Sequence, residues 1–288
     1  MIPGTPLSSA ASNTDSPSRT SQMREGRSSY SNVTCGTHSP GNQKRATLSH
    51  RIRTHSRRPI VCLSRTNVAV SANFSRGVSV LLDLHTHSIK SDDGRAKVQN
   101  YCQWIRTREI PIDGFVLTEH RQYDHESDYS DLAAEFGITI LKGSEVETEY
   151  GHVLVFGVTP AMTEEYDFSR IGLKLADVIA AANKHGGLAV PCHPGRTRVG
   201  MCAHIETYGI PDGVRVVEVF NGGSRDNEDD MAQQLADDNG YLGIGGSDAH
   251  IVSHVGKCAT RFSGPIRSEM ELVEALKAEE FEAVNLRQ

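Results

Sequence analysis

The chain has 288 residues, 38% hydrophobic and 23% charged, which excludes wholesale disorder and any fibrous or collagen-like class. No apolar run approaches the roughly 18 residues of a membrane helix, so an integral membrane protein is not expected. Six cysteines with no CxxC pair exclude a disulfide scaffold and a zinc ribbon, and a reducing, cytoplasmic location is the default. The formal charge of −6 averages two unlike parts. Residues 1–80 carry eleven Lys or Arg against only Asp15 and Glu25, a net of +9, whereas the remainder holds 19 basic and 34 acidic residues, a net of −15.

Residues 1–76 are rich in Ser, Thr and Arg, show no sustained period and have too little apolar surface to order themselves, so they read as a disordered extension. The composition resembles a transit peptide, which would make the location organellar. Nucleic-acid contact through Arg51–Arg58 and an unselected or mis-assigned start are the other readings.

A single domain is expected over 77–288. Val78–Leu84 is a near-continuous apolar run, as in a strand buried on both faces. Val98–Glu109 has helical spacing, Gly114–Leu117 is strand-like, and Tyr129–Phe136 reads as a helix closed by Gly137. Strands are expected over 138–143 and 152–157, a helix over 173–185, and a strand over 188–191. A strand over 214–220, a helix over 226–238 and strands over 242–245 and 258–262 follow. Ser268 then caps a last helix, with Glu271 three residues on. Strands alternating with helices at this spacing indicate parallel βα units, and about seven in 210 residues point to a closed or nearly closed α/β barrel.

Nearly every strand ends in a metal-ligand residue type: Asp83, His85 and His87 on the first, Glu119 and His120 on the second. Glu145 and His152, His193, and Asp248 with His250 follow later strands. Strand C-termini of a parallel barrel meet at one rim, and His85 and His87, two apart, share one side of a strand. A lone histidine is usually a surface or satisfied core residue, and His38, His55, His125 and His204 are read so. Six histidines with carboxylates, all at strand ends, are instead read as a metal site. Eight or nine candidates exceed the three protein ligands of a single catalytic zinc and imply two or three ions.

The segments DLHTHS…SDDG, LTEH, GSE…GHVLVFG, PCHPGR, EVFNG and GSDAH, in this order over about residues 80–265, resemble the motifs of the PHP (polymerase and histidinol phosphatase) family. The resemblance implies a distorted seven-stranded, TIM-like (β/α) barrel with a trinuclear metal cluster and phosphoesterase activity. It implies that His85, His87, Glu145 and Asp248 hold one ion. Glu145 would bridge to a second, completed by His152 and His193, and Asp92, His120 and His250 would hold a third. The family pattern has one Asp before Gly where this chain has Asp92 and Asp93; spacing from His87 favours Asp92. Asp83 is expected to orient a ligand histidine. Glu145, His193 and Asp248 are the candidate catalytic residues.

Three divalent ions against three carboxylates leave a site that attracts a phosphate dianion, which a metal-activated water would hydrolyse. Arg196 is the candidate phosphate clamp, with Arg121 a weaker one. Cys192 reads as a buried strand thiol rather than a nucleophile. The cofactors expected are two or three Zn, Mn or Fe ions. The favoured substrate is a small phosphomonoester for an enzyme of the small stand-alone type; a nucleotide, a short oligonucleotide and histidinol phosphate are alternatives. The −15 charge disfavours long nucleic acid. Two readings of other kinds remain: a metal-stabilised binding module without turnover, and carbon–nitrogen hydrolysis in an amidohydrolase-like barrel. The latter lacks a strand-end lysine bridge, Lys142 being the nearest.

Overall fold

Nine strands and seven α-helices follow one another in the computed structural model, which describes residues 79–288. The extension expected over 1–76 lies outside the described residues. In chain order the elements are β1 (Val80–Thr86), α1 (Val98–Thr107), β2 (Gly114–His120), α2 (Ser130–Phe136), β3 (Thr139–Thr148) and β4 (Gly151–Phe156). Next come α3 (Pro160–Glu165), α4 (Leu175–Lys184), β5 (Leu188–Pro191), α5 (Ile205–Tyr208) and β6 (Val216–Asn221). The last are α6 (Glu228–Asn239), β7 (Leu242–Gly246), β8 (Cys258–Phe262), α7 (Glu269–Lys277) and β9 (Phe281–Asn285).

Seven strands, in the order β5-β4-β3-β2-β1-β8-β9, form a sheet curled into a half-barrel, and β6 and β7 form a separate parallel ladder. A bridge between Thr86 and Ala249 and the Thr260 hydroxyl, bonded to both backbone groups of Gly245, tie that ladder to β1 and β8. The α/β, seven-stranded barrel-like reading therefore holds, but the sheet is mixed rather than parallel. β1–β2 and β2–β3 are parallel, while β3–β4, β4–β5, β1–β8 and β8–β9 are antiparallel. For β3–β4 the cause is local: only Glu149 and Tyr150 separate the two strands, and so short a link closes a hairpin but cannot make a crossover.

Leu82, Leu84, Val116, Leu141, Leu154, Val190 and Ile244 fill the concave interior beneath the rim. Tyr101, Cys102 and Ile105 of α1 pack with Phe115 and Leu117, while Val178 and Ala182 of α4 belong to a third cluster with Val153 and Val155. Ser268 caps α7 as expected, accepting from the Glu271 N–H, but the Glu271 carboxylate reaches back to the N–H of Arg267 rather than of Ser268. β9, not foreseen in the sequence, is a partly exposed strand at the end of the sheet.

Candidate metal centre

The mixed topology delivers the candidate residues to one rim. β1, β2, β3 and β5 present their C-terminal ends, and β4, running the other way, presents its first residues, including His152, beside Glu147. An irregularity between Asp83 and Thr86 makes β1 advance three residues while β2 advances two. This bulge changes which residues face inward: Leu82 and Leu84 lie in the core below, His85 and His87 point into the rim above. His193 and Asp248 adopt positive φ (31° and 52°), a backbone cost that tightly held functional segments tolerate.

Glu145 is the hub. Its Oε1 lies 2.8 Å from His152 Nδ1 and 3.1 Å from His193 Nε2. Its Oε2 lies 3.0 Å from His120 Nδ1, 3.2 Å from His87 Nε2 and 3.3 Å from His85 Nε2. Asp248 Oδ1 stands 3.4 Å from His85 Nε2 and 3.3 Å from His87 Nε2. The structure thus brings together His85, His87, Glu145 and Asp248, sets His152 and His193 on the far oxygen of Glu145, and stacks His120 and His250 against His87.

Asp92 is not brought in. It is exposed and paired with Arg121 at 3.0 Å, whereas Asp93 reaches His250 Nε2 at 3.1 Å and His120 Nε2 at 3.5 Å. Arg121 is held by Glu147 and Asp92, so it is not an open phosphate clamp. Asp83 touches no imidazole; it accepts from the N–H groups of Ser247 (2.7 Å), Gly256 (2.8 Å) and His85 (3.3 Å) below the bulge. Lys142 donates to the carbonyls of Asp124 and Ser127 and bridges nothing at the rim.

The residue that orients His85 is Glu218 of β6, whose Oε1 is 3.0 Å from His85 Nδ1. Its Oε2 accepts from the His193 N–H and from Asn221 Nδ2, both at 2.8 Å. A carboxylate inside the apolar run VRVVEVF is the signal that could have found it, since a buried carboxylate requires partners. Glu119, expected among the ligand types, accepts instead from Ser88 and from the Ser91 hydroxyl (2.6 Å). Ser91 Oγ, its own proton so engaged, lies 3.3 Å from His87 Nδ1. His250 Nδ1 meets the Asp248 carbonyl at 2.9 Å. In the neutral ring each of these Nδ1 contacts leaves the Nε2 lone pair of His85, His87 and His250 facing the cluster, the tautomer that metal ligation needs.

Protonation follows from this crowding. Although burial opposes ionisation, His85, His120 and His152 hold the Glu145 carboxyl well below the usual range. His85, His87 and Arg196 do the same for Asp248. Against burial, Glu218, Asp248 and Glu145 push His85 well above its ordinary value, and Asp248 and Glu145 bring His87 to about 9. Burial and Arg196 lower His193, while burial and His87 lower His250. Among the described residues, His87 Nε2 and Asp248 Oδ1 are buried and 3.3 Å apart without hydrogen-bond geometry; His193 Nδ1 is also unpartnered. A cation between His87 and Asp248 would satisfy both atoms, so the donor set fits divalent metal ions.

Arg196 Nη2 donates to Asp248 Oδ2 at 2.7 Å and to Asn221 Oδ1 at 2.8 Å. The guanidinium lines an open cleft of about 710 Å³ together with Asp93, Arg225, Asp248, His250 and His254. No helix among the described residues is long and apolar enough to cross a membrane.

Residues 226–281 match the family model described as PHP-associated. No curated protein matches the sequence. Among solved structures, PsfC from Pseudomonas syringae PB-5123 is 20% identical, over 72% of this chain and 91% of its own, with a TM-score of 0.51. An amidohydrolase from Chromobacterium violaceum is 18% identical over 72% and 98%, with a TM-score of 0.50. The lesion-specific endonuclease PfuEndoQ from Pyrococcus furiosus is 16% identical, with a TM-score of 0.53; the match covers 72% of this chain but only 58% of the endonuclease. The PHP-associated match at 226–281 agrees with the motif resemblance read in the sequence, and the solved structures share this chain's fold.

Proposed function

We propose that the chain is a metal-dependent phosphoesterase that binds up to three divalent ions and hydrolyses a small phosphomonoester. The observation that carries this reading is Glu145, one buried carboxylate within 3.3 Å of five imidazoles. In this reading His85, His87, Glu145 and Asp248 hold one ion, Glu145 with His152 and His193 a second, and Asp93, His120 and His250 a third. When bound, divalent ions supply a water acidic enough to deprotonate near neutral pH and neutralise the phosphoryl oxygens.

The chain's own residues set the rest. Glu145 and Asp248 stay ionised, and Glu218, Ser91 and the Asp248 carbonyl fix imidazole tautomers. Arg196 has guanidinium N–H groups to spare beyond Asp248 and Asn221, and these can pair with a phosphate at the cleft. About +6 from three ions against about −3 from the ligand carboxylates makes the cleft locally cationic in a body of net charge −15. Such a field attracts a small anion at the cleft, whereas a long polyanion would also lie along the acidic surface, within the screening length of about 8 Å at physiological salt, and be opposed there.

The test is phosphate release by metal-reconstituted full-length protein. Histidinol phosphate, sugar phosphates, nucleoside mono- and bisphosphates, an aryl phosphate and a lesion-bearing DNA duplex make up the panel. Release from a small monoester that vanishes with chelator and in His193→Ala is the expected result. Cleavage of the duplex alone would overturn the substrate class, and bound metal without turnover on any member would favour a binding module.

A further inference from the structure

We propose that Cys192 is a metal ligand, its thiolate joining Glu145 and His193 around one ion and making that position a site for zinc-class divalent cations. The inference rests on the metal reading of the proposed function and adds a donor and a metal preference to it. Cys192 follows β5 and is fully buried, and its backbone continues an apolar strand, which is why the sequence reads it as a core thiol. Its Sγ, however, is aimed at the cluster: the thiol donates to Glu145 Oε1 at 3.3 Å, a proton that an entering ion would displace to solvent, and lies 3.5 Å from His193 Nε2. The third side of this triangle, His193 Nε2 to Glu145 Oε1, is 3.1 Å.

A tetrahedral zinc with Zn–N and Zn–O near 2.0–2.1 Å and Zn–S near 2.3 Å separates its ligand atoms by about 3.3–3.6 Å. The three donors therefore stand within a few tenths of an ångström of the spacing that neighbouring ligands of one ion adopt. His85 borders this group, but its Nε2 faces Glu145 Oε2 and Asp248 and belongs to the neighbouring ion, so the ion beside Cys192 is the one on Glu145 Oε1. Independently of the cysteine, the buried His87 Nε2 and Asp248 Oδ1 stand 3.3 Å apart without hydrogen-bond geometry, close to the spacing of two ligands on one ion. A thiolate among imidazole and carboxylate donors selects Zn, Co or Fe over Mn or Mg, because sulfur is the soft partner in the set.

The experiment uses the full chain, stripped of metal and reloaded with cobalt(II), as wild type, Cys192→Ser and Cys192→Ala. Bound cobalt per chain and thermal stability are measured beside the spectrum. Expected is a near-ultraviolet sulfur-to-cobalt charge-transfer band in the wild type that both variants lose while remaining folded. In metal competition, the preference for zinc over manganese should fall by about tenfold or more in the variants. Cobalt-loaded wild type without the band overturns thiolate ligation while leaving the metal site standing, and so does a band that persists unchanged in Cys192→Ser. Wild type that binds no cobalt or zinc overturns both this inference and the metal reading beneath it.

Discussion

Replacing Glu218 by Gln changes one buried oxygen into an NH2 group and nothing in shape. Three donors converge on the native carboxylate: His85 Nδ1 on one oxygen, the His193 N–H and Asn221 Nδ2 on the other. The least costly amide orientation keeps its oxygen on the pair and turns NH2 toward His85. A neutral His85 then accepts at Nδ1 and carries its proton on Nε2, the atom that faces Glu145 and Asp248. Loading a metal requires that proton to leave and two donors to face one another at Nδ1. Losing a hydrogen bond to a charged group costs about 1.5–3 kcal/mol, which is about 10- to 150-fold in affinity. Chelator-competition titrations of Glu218→Gln should show this weakening at one class of site, with the metal-free protein still folded by circular dichroism. Affinity within about twofold of wild type would refute the tautomer argument and reduce Glu218 to a packing residue.

Asp93→Asn should lose one bound ion per chain, whereas Asp92→Asn should keep full metal content; elemental analysis separates them, and the opposite result would restore Asp92 as the ligand. In the metal-free protein His87, raised to about 9, contributes stability that is complete below its unfolded value of 6.5 and is lost as pH rises through 9. The size is about 3 kcal/mol, and denaturant midpoints at pH 6.5 and 9.5 should differ accordingly, a difference that His87→Gln narrows. Gly246→Ala would place a methyl 2.4 Å from His85 Cβ and 2.6 Å from Glu218 Oε1, so it should weaken metal binding as Glu218→Gln does.

How much of this was legible in the sequence depended on whether a residue's direction follows from period alone. Strand existence did follow: β5 and β8 occupy the expected residues, segments of four and five residues that are too short for a stable helix. Direction did not. The period-2 rule puts Asp83, His85 and His87 on one face, but the bulge in β1 separates Asp83 from the histidines. Asp92 and Asp93 are adjacent in a turn, where the choice is made by the returning chain: Gly94 packs on the Ser88 carbonyl so closely that a Cβ would sit 1.8 Å from it. That contact, which no spacing rule encodes, accompanies Asp93 toward His120 and Asp92 toward Arg121. Likewise, a two-residue link after Thr148 was enough to reverse β4, and without that reversal His152 would lie at the opposite end of the sheet from Glu145.

The density of the cluster raises the question of how it folds before any ion arrives. Glu145, Glu218 and Asp248 are all buried within one group of side chains, and burying three unpaired carboxylates would be prohibitive. Their charged partners are Arg196, on Asp248, and the histidines, two of which, His85 and His87, are driven to hold protons well above their ordinary range by those same carboxylates. Protons therefore occupy, in the metal-free chain, the electrostatic role that divalent ions take in the loaded one. Loading is in part an exchange of charge: each ion that enters beside His85 or His87 must displace a proton from Nε2 while Glu218 and Ser91 hold the other nitrogen in place. The same carboxylates that make the empty site foldable thus set its metal affinity, and that affinity must fall as pH drops below the point where the two imidazoles give up their protons.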